Sequence, residues 1–310
     1  MAVTVLVPRA LAVAPLTQLD GLELLTYTDP SAWPSGADEA EVLVVGWGPV
    51  EAVASQLGPL AALRLIQVLG AGVEDWLGRV PDGVVLSNAR GAHGAPTAEW
   101  ALAALLAVVR ELPDFVRRQD AQVWHKHETG TLIGARVLAL GAGDLATELR
   151  RRLEANGTTV TLVGRSARPG VAGMDELPTL LPAHDAVVVM VPLDDSTRRL
   201  VDAEFLARMA DGAILVNAAR GAVVDTDALL AELASGRLRA ALDVTDPEPL
   251  PAEHPLWRAP GLLITPHVGG STPGATERAL GVLAAELARY VAGEQLRNVQ
   301  ITDPPTRQES

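Results

Sequence analysis

The chain contains no cysteine, which excludes disulfides, thiolate metal ligands and cysteine nucleophiles. Lysine is nearly absent as well. Lys126 is the only one, and arginine supplies the other basic residues, a bias that GC-rich coding explains without invoking function. Positive charge is scarce overall: 25 basic residues face 38 acidic ones, giving a formal net charge of −13. Nucleic acid and anionic membrane surfaces both call for a basic face, so neither is expected as a partner. Any anion the protein binds has to be captured locally. No uninterrupted apolar run is long enough to span a bilayer. The start, Met1-Ala-Val-Thr-Val-Leu-Val-Pro8, lacks the basic region and longer apolar stretch of a signal peptide and reads as a strand. The expectation is a cytoplasmic protein.

At 310 residues, 48% of them hydrophobic, the chain is long enough for two packed cores and too apolar to be disordered. Short apolar runs at Val3–Val7, Val42–Val45, Leu65–Val68 and Val84–Ser87 read as strands. A second series follows at Arg136–Leu140, Thr159–Val163, Ala186–Val191, Ala213–Val216, Ala240–Val244 and Leu262–Thr265. Ala/Leu-rich helical stretches alternate with them, and repeated βα alternation implies parallel sheets. A long helix is predicted from near Thr97, with Pro96 in its first turn, through Val109, stopped by Pro113. Its nearly continuous apolar character points to burial between domains or at a dimer interface. A last helix, roughly Pro273 to Gly293, carries the chain back to the first domain, and the tail Asp303–Ser310 reads as unfolded.

The segment Leu138-Ala-Leu-Gly141-Ala-Gly143-Asp144-Leu145-Ala146 follows a predicted strand and opens a predicted helix, the context in which G-x-G-x-x-G/A carries meaning. Gly141 permits the tight turn, Gly143 lets the backbone approach a pyrophosphate, and Ala146 keeps helix and strand close. Amides at the helix start, around Asp144 and Leu145, then hold phosphates. An ordinary glycine turn is the competing reading. The next strand ends Gly164-Arg165-Ser166-Ala-Arg168, with no carboxylate to bind the ribose hydroxyls of NADH. Arg165, Ser166 and Arg168 offer a phosphate cradle instead, favouring NADPH, with NADH also possible; solvated surface arginines are the alternative.

Further on, Val191-Pro192 closes a strand facing the cofactor and Thr197 follows it. Ala218 precedes Arg220, whose planar guanidinium suits a substrate carboxylate. Glu248 lies in an acidic, proline-rich stretch that by itself reads as a solvated loop, and only its pairing with His267 raises it. A carboxylate bonded to an imidazole favours the protonated ring. An Arg, a carboxylate and a His in this order after a glycine loop supply what hydride reduction of a 2-keto acid needs: anion anchor, proton donor and its partner. Asp243 either orients the nicotinamide carboxamide or caps a turn. His125-Lys-His127 lacks further ligands at helical spacing, so no metal is expected, and no G-x-S-x-G elbow supports a hydrolase.

These motifs resemble the D-isomer-specific 2-hydroxyacid dehydrogenase family from about Val42 to Val299. The likeness is densest at Asp185–Pro192, Ile214–Asp225, Ala241–Val244 and Ile264–Gly270. It implies an α/β fold of two Rossmann-like, doubly wound parallel-sheet domains with the active site in the cleft between them. The substrate domain is then 1–95 plus 274–310, and the dinucleotide domain 96–273. The resemblance assigns Arg220 as substrate anchor, Glu248 as carboxylate partner and His267 as acid/base, and gives Ala71 and Gly72, in Leu69–Val73, to the substrate carboxylate. It also implies a homodimer.

Within the family, Ala146 in place of the third glycine and Gly164-Arg165-Ser166 in place of an acidic ribose binder are similar to NADPH-using glyoxylate and hydroxypyruvate reductases. Thr245 replaces a common aromatic, and Trp47 either faces the cleft or anchors a core. The activity implied is reduction of a small 2-keto acid to the D-2-hydroxy acid. The alternatives are a dinucleotide-sensing, corepressor-like binding protein or a phosphite-, formate- or phosphoglycerate-type dehydrogenase. The absence of a regulatory domain after residue 300 and of an Asn with a Gln-His pair argues against the last two.

Overall fold

Val42–Val45, Leu65–Val68 and Ala186–Val189 are buried at every position, as strands covered on both faces must be. The computed structural model describes residues 2–11 and 13–301. The tail expected to be unfolded, Asp303–Ser310, lies outside the described residues. The strands are β1 (Val3–Pro8), β2 (Leu22–Tyr27), β3 (Val42–Val45), β4 (Leu65–Val68), β5 (Val85–Ser87), β6 (Arg136–Leu140), β7 (Thr159–Gly164), β8 (Ala172–Gly173), β9 (Ala186–Val189), β10 (Ile214–Asn217), β11 (Arg239–Leu242), β12 (Leu262–Ile264) and β13 (Val299–Ile301). The α-helices are α1 (Val50–Ala54), α2 (Gly94–Val109), α3 (Leu112–Asp120), α4 (Asp144–Ala155), α5 (Leu177–Leu180), α6 (Ala203–Arg208), α7 (Thr226–Ala234) and α8 (Ala275–Val291). No described helix is long and apolar enough to cross a membrane.

The chain divides into two units, Met1–His93 with Pro273–Ser310, and Gly94–Thr272. In the first unit the strand order is β13-β5-β4-β3-β1-β2, parallel except for β13, which runs antiparallel to β5. Alternate residues feed two cores. Leu43, Val45, Ile66 and Val68 pack on one side, while Val42, Val44 and Leu65 meet Leu280, Leu283 and Leu287 of α8 on the other.

The second unit orders its strands β12-β11-β10-β9-β6-β7-β8, all parallel. Leu138, Leu140, Val187, Val189 and Leu215 point to one core, and Val137, Val188 and Val216 to the other. The apolar helix expected between domains or at a dimer interface belongs to this second core. Ala98, Ala101, Ala104, Leu105 and Val108 of α2 pack with Val137, Val188 and Leu149, so burial inside its own unit accounts for its composition. The helix starts at Gly94 and ends at Val109, and Pro113 opens the next helix rather than stopping this one.

Strand order reverses between β6 and β9, and in such sheets ligands bind at the carboxyl ends of the strands flanking that switch point. Gly141 follows β6 and Met190 follows β9. A Cβ at Gly141 would lie 2.7 Å from the Met190 carbonyl oxygen, and its φ of +136° also suits only glycine. The corresponding reversal in the first unit falls between β1 and β3. There Pro8 packs on Gly46, and no helix lies between β1 and β2 among the described residues. Of the two switch points, only the one in the second unit carries a glycine loop and a helix start among the described residues.

Candidate active site

His267 and Glu248 come from the loops after β12 and β11, and they meet. Nδ1 of His267 lies 2.7 Å from Oε1 of Glu248. A carboxylate accepts but does not donate, so Nδ1 carries the shared proton and Nε2 is the nitrogen left to hold or release another. The two side chains remain 47% and 39% exposed, which keeps Nε2 within reach of a ligand. His267 has a φ of 54°, a left-handed conformation that costs a non-glycine residue energy unless its surroundings impose it.

Asp243 imposes it. Its carbonyl accepts the His267 amide at 2.7 Å. Its carboxylate accepts the Thr265 hydroxyl (2.6 Å), the Val268 amide (2.9 Å) and the Gly269 amide (2.7 Å). Of the two roles expected for it, orienting a nicotinamide carboxamide or capping a turn, the bonds of this buried side chain are those of a cap that ties down the His267 loop.

Arg220 is half-buried at the end of the turn after β10, with Nη1 donating to the Ala219 carbonyl at 2.7 Å. The turn is braced by Asn217, fully buried, whose Oδ1 accepts the Ala219 amide (3.0 Å) and whose Nδ2 donates to the Arg220 carbonyl (2.9 Å). Asn217 carried no role in the sequence reading, although a buried amide at a strand end is a signal for one. Ala218 is buried in the same turn. Gly221 then passes so close to the loop bearing Glu248 that a Cβ there would overlap the Thr245 carbonyl group. Thr245 is buried, and its hydroxyl donates to the Pro247 carbonyl at 2.9 Å, so it braces that loop.

The glycine loop fits a dinucleotide. Gly143 is the N-cap of α4 with no side-chain cap, and a Cβ there would meet nothing within 4 Å, so the helix start is open at Gly143 and its first amides take no side-chain acceptor at the cap. Leu145 is half-buried in the first turn, and Ala146 is buried beneath it. Asp144 works against an anion. Its Oδ2 is buried without a hydrogen-bond partner and abuts Gly94, favourable for the helix dipole but of the same sign as a phosphate.

The two arginines expected to form one cradle have different partners in the structure. Nη2 of Arg165 donates to Oδ2 of Asp194 at 3.0 Å, whereas Nη2 of Arg168 reaches the Ala142 carbonyl of the glycine loop at 3.3 Å. Ser166 is exposed between them. Val191 and Pro192 line the exit of β9. Thr197, expected at the cofactor, is buried, and its hydroxyl donates to the Pro192 carbonyl at 2.7 Å and accepts the Asp194 amide at 2.8 Å. Both bonds lie within the 192–197 turn and shape it.

In the first unit, Ala71 and Gly72 lie in the loop after β4, where Nδ2 of Asn88 donates to the Ala71 carbonyl at 2.6 Å. Trp47 is 57% exposed and meets the His93 ring edge-on at 5.8 Å, so it is not a core anchor. In the second unit, His127 pairs with Glu111 at 2.8 Å and tilts against His125. Among the described residues no three His, Asp or Glu side chains gather as metal ligands.

A glycine loop at a switch point and a carboxylate-paired histidine, carried by one parallel-sheet unit, define a dinucleotide-dependent oxidoreductase. The comparisons agree. Residues 102–269 match the model of the D-isomer specific 2-hydroxyacid dehydrogenase NAD binding domain. The chain belongs to the D-isomer specific 2-hydroxyacid dehydrogenase family.

Glyoxylate/hydroxypyruvate reductase A of Serratia proteamaculans (strain 568) is 31% identical over 277 residues, 85% of this chain and 87% of that protein. A protein encoded in the proB 3′ region of Corynebacterium melassecola is 38% identical over 172 residues, 52% of this chain, and this chain covers only 55% of its length. The solved structure of a D-isomer specific 2-hydroxyacid dehydrogenase from Xanthobacter autotrophicus Py2, in complex with NADPH and MES, superposes with a TM-score of 0.84 at 30% identity. The match covers 97% of this chain and 98% of that one.

Proposed function

We propose that this protein reduces a small 2-keto acid, of the glyoxylate or hydroxypyruvate type, to the D-2-hydroxy acid with NADPH. The observation that carries the reading is the 2.7 Å contact of His267 Nδ1 with Glu248, which leaves Nε2 as a proton donor on the same unit that carries the glycine loop. The Serratia relative bears the name of that activity, and the Xanthobacter relative was solved with NADPH. NADPH, when bound, would supply the hydride for the carbonyl carbon. Nε2 of His267 gives its proton to the carbonyl oxygen, and Glu248 stabilises the ring while it is protonated. Arg220 holds the substrate carboxylate and polarises the neighbouring carbonyl. The helix-start amides after Gly143 would hold its pyrophosphate, and Arg165, Ser166 and Arg168 would receive its 2′-phosphate.

We take the protein to work in the cytoplasm as a homodimer, a reading supported by the exposed Leu112, Val116, Val123, Trp124 and Ile133 between α2 and β6. The test is oxidation of NADPH and NADH by purified protein against glyoxylate, hydroxypyruvate, pyruvate, phenylpyruvate and longer 2-keto acids. Faster turnover with NADPH on a small acid is expected. Binding of NADPH without turnover of any acid would overturn the reading in favour of a dinucleotide sensor. Arg220→Ala is expected to lower kcat/KM by about 10²–10³-fold while NADPH still binds.

A further inference from the structure

The residue that follows the second strand after a glycine loop reads the 2′ position of the adenosine ribose. Here that residue is Arg165, and its guanidinium already has a partner. Nη2 donates to Oδ2 of Asp194, on the loop that leaves β9, at 3.0 Å. Asp194 is held firmly for this purpose. Its Oδ1 accepts the Ser196 amide at 2.8 Å and the Ser196 hydroxyl at 2.5 Å, while its own amide donates to Thr197 Oγ1 at 2.8 Å. These contacts fix the carboxylate and leave Oδ2 turned to Arg165. The Ser196 hydroxyl foremost, with Arg165 adding its charge, holds the Asp194 carboxyl below the usual carboxylate range, so it stays ionised at neutral pH. The second cation, Arg168, is drawn to the Ala142 carbonyl and does not share this contact.

We infer that Asp194 is a selectivity residue of the cofactor site, its carboxylate competing with the 2′-phosphate of NADPH for Arg165. The inference rests on the NADPH reading above and deepens it. A 2′-phosphate must take Arg165 away from Asp194 or share it, whereas NADH leaves the pair intact. The effect is modest because the Arg165 side chain is 79% exposed, and exposed ion pairs are worth about two- to fivefold in an equilibrium constant. The preference for NADPH is therefore weaker than two arginines at this position would give.

Calorimetric titration with 2′,5′-ADP and with 5′-AMP tests this apart from turnover, using wild type, Asp194→Asn, Arg165→Gln and the double variant. Asparagine keeps the Oδ1 acceptor that Ser196 requires and removes the charge that holds Arg165. Asp194→Asn is expected to bind 2′,5′-ADP about two- to fivefold tighter relative to 5′-AMP, and to lose that gain in the Arg165→Gln background. An unchanged or weaker relative affinity, or a gain that persists without Arg165, would overturn the inference. In both of those cases a wild-type preference for 2′,5′-ADP leaves the NADPH reading standing. No such preference in the wild type would overturn the NADPH reading, and the inference with it.

Discussion

The amide of His267 donates to the carbonyl oxygen of Asp243 at 2.7 Å, and the Asp243 carboxylate binds Thr265, Val268 and Gly269 on either side of it. One buried residue, by its carbonyl and its carboxylate, thus ties down both sides of the left-handed position from which the imidazole projects. Asp243→Ala would leave these three donors without their acceptor; Gly269 is the buried one, and an unsatisfied buried donor costs about 1–3 kcal/mol. A lower Tm is expected, with a fall in kcat of tenfold or more. Asp243→Asn retains one acceptor oxygen and should recover part of both. Full activity in the alanine variant, measured beside thermal unfolding, would show that the loop holds its shape unaided.

Glu248 touches the imidazole directly, so its removal separates orientation from charge. His267→Ala should lower kcat by about 10²–10⁴-fold, the usual worth of a positioned general acid. Glu248→Gln keeps an oxygen that can accept the Nδ1 proton but cannot neutralise a charged ring, and a smaller loss is expected. Glu248→Ala removes both and should lie between the glutamine variant and His267→Ala. Steady-state kinetics at saturating cofactor would settle the order, and a glutamine variant as slow as the histidine deletion would contradict it.

Gly221 marks the place where the Arg220 turn and the Glu248 loop are packed backbone to backbone. A methyl group there collides with the carbonyl of Thr245, which no side-chain rotation can relieve. Gly221→Ala should cost about 1–3 kcal/mol of stability and displace both loops, lowering kcat/KM. Thr245→Ser keeps the backbone and the hydroxyl that bonds to Pro247, so it should unfold close to wild type. Equal Tm values for Gly221→Ala and wild type would mean that the loops part more easily than their contact suggests.

Much of this architecture is legible in the chain. Runs such as Val42–Val45 and Ala186–Val189 read as strands because burial on both faces leaves no polar residue in them. The order Arg220, Glu248, His267 signals the chemistry because each residue follows a strand end. β2 is harder to see: Leu22–Tyr27 lies at a sheet edge with Glu23 and Thr26 exposed, so its apolar run is broken. β13 depends on a partner far away in sequence, β5, and on Oε2 of buried Glu286 accepting the Arg297 and Asn298 amides at 2.8 and 3.1 Å. The separate partners of Arg165 and Arg168, and the anchoring role of Asp243, depend on where loops from other strands arrive. Local spacing does not encode that.

Asp225 offers a test of the second unit's stability against acid. Its Oδ1 accepts the Asp227 and Ala228 amides, each at 3.1 Å, capping α7, while Oδ2 pairs with Arg199. The hydrogen bond from Arg199 foremost, then the Ala228 amide, holds its carboxyl below the usual aspartate range. A carboxylate lowered on folding contributes stability that is fully present above its unfolded value, about pH 3.9. That contribution is lost as the pH falls through the lower folded value. Wild-type Tm should therefore drop as solutions are acidified from about pH 5 toward pH 2. Asp225→Asn preserves a capping oxygen but has no charge to titrate, so the gap between the two proteins should narrow across that interval. At neutral pH, Asp225→Ala should cost about 1 kcal/mol from the lost cap alone. Thermal unfolding of the three proteins across that range checks both effects, and a wild-type to asparagine gap that stays constant down to pH 2 would remove the Arg199 pair from the account.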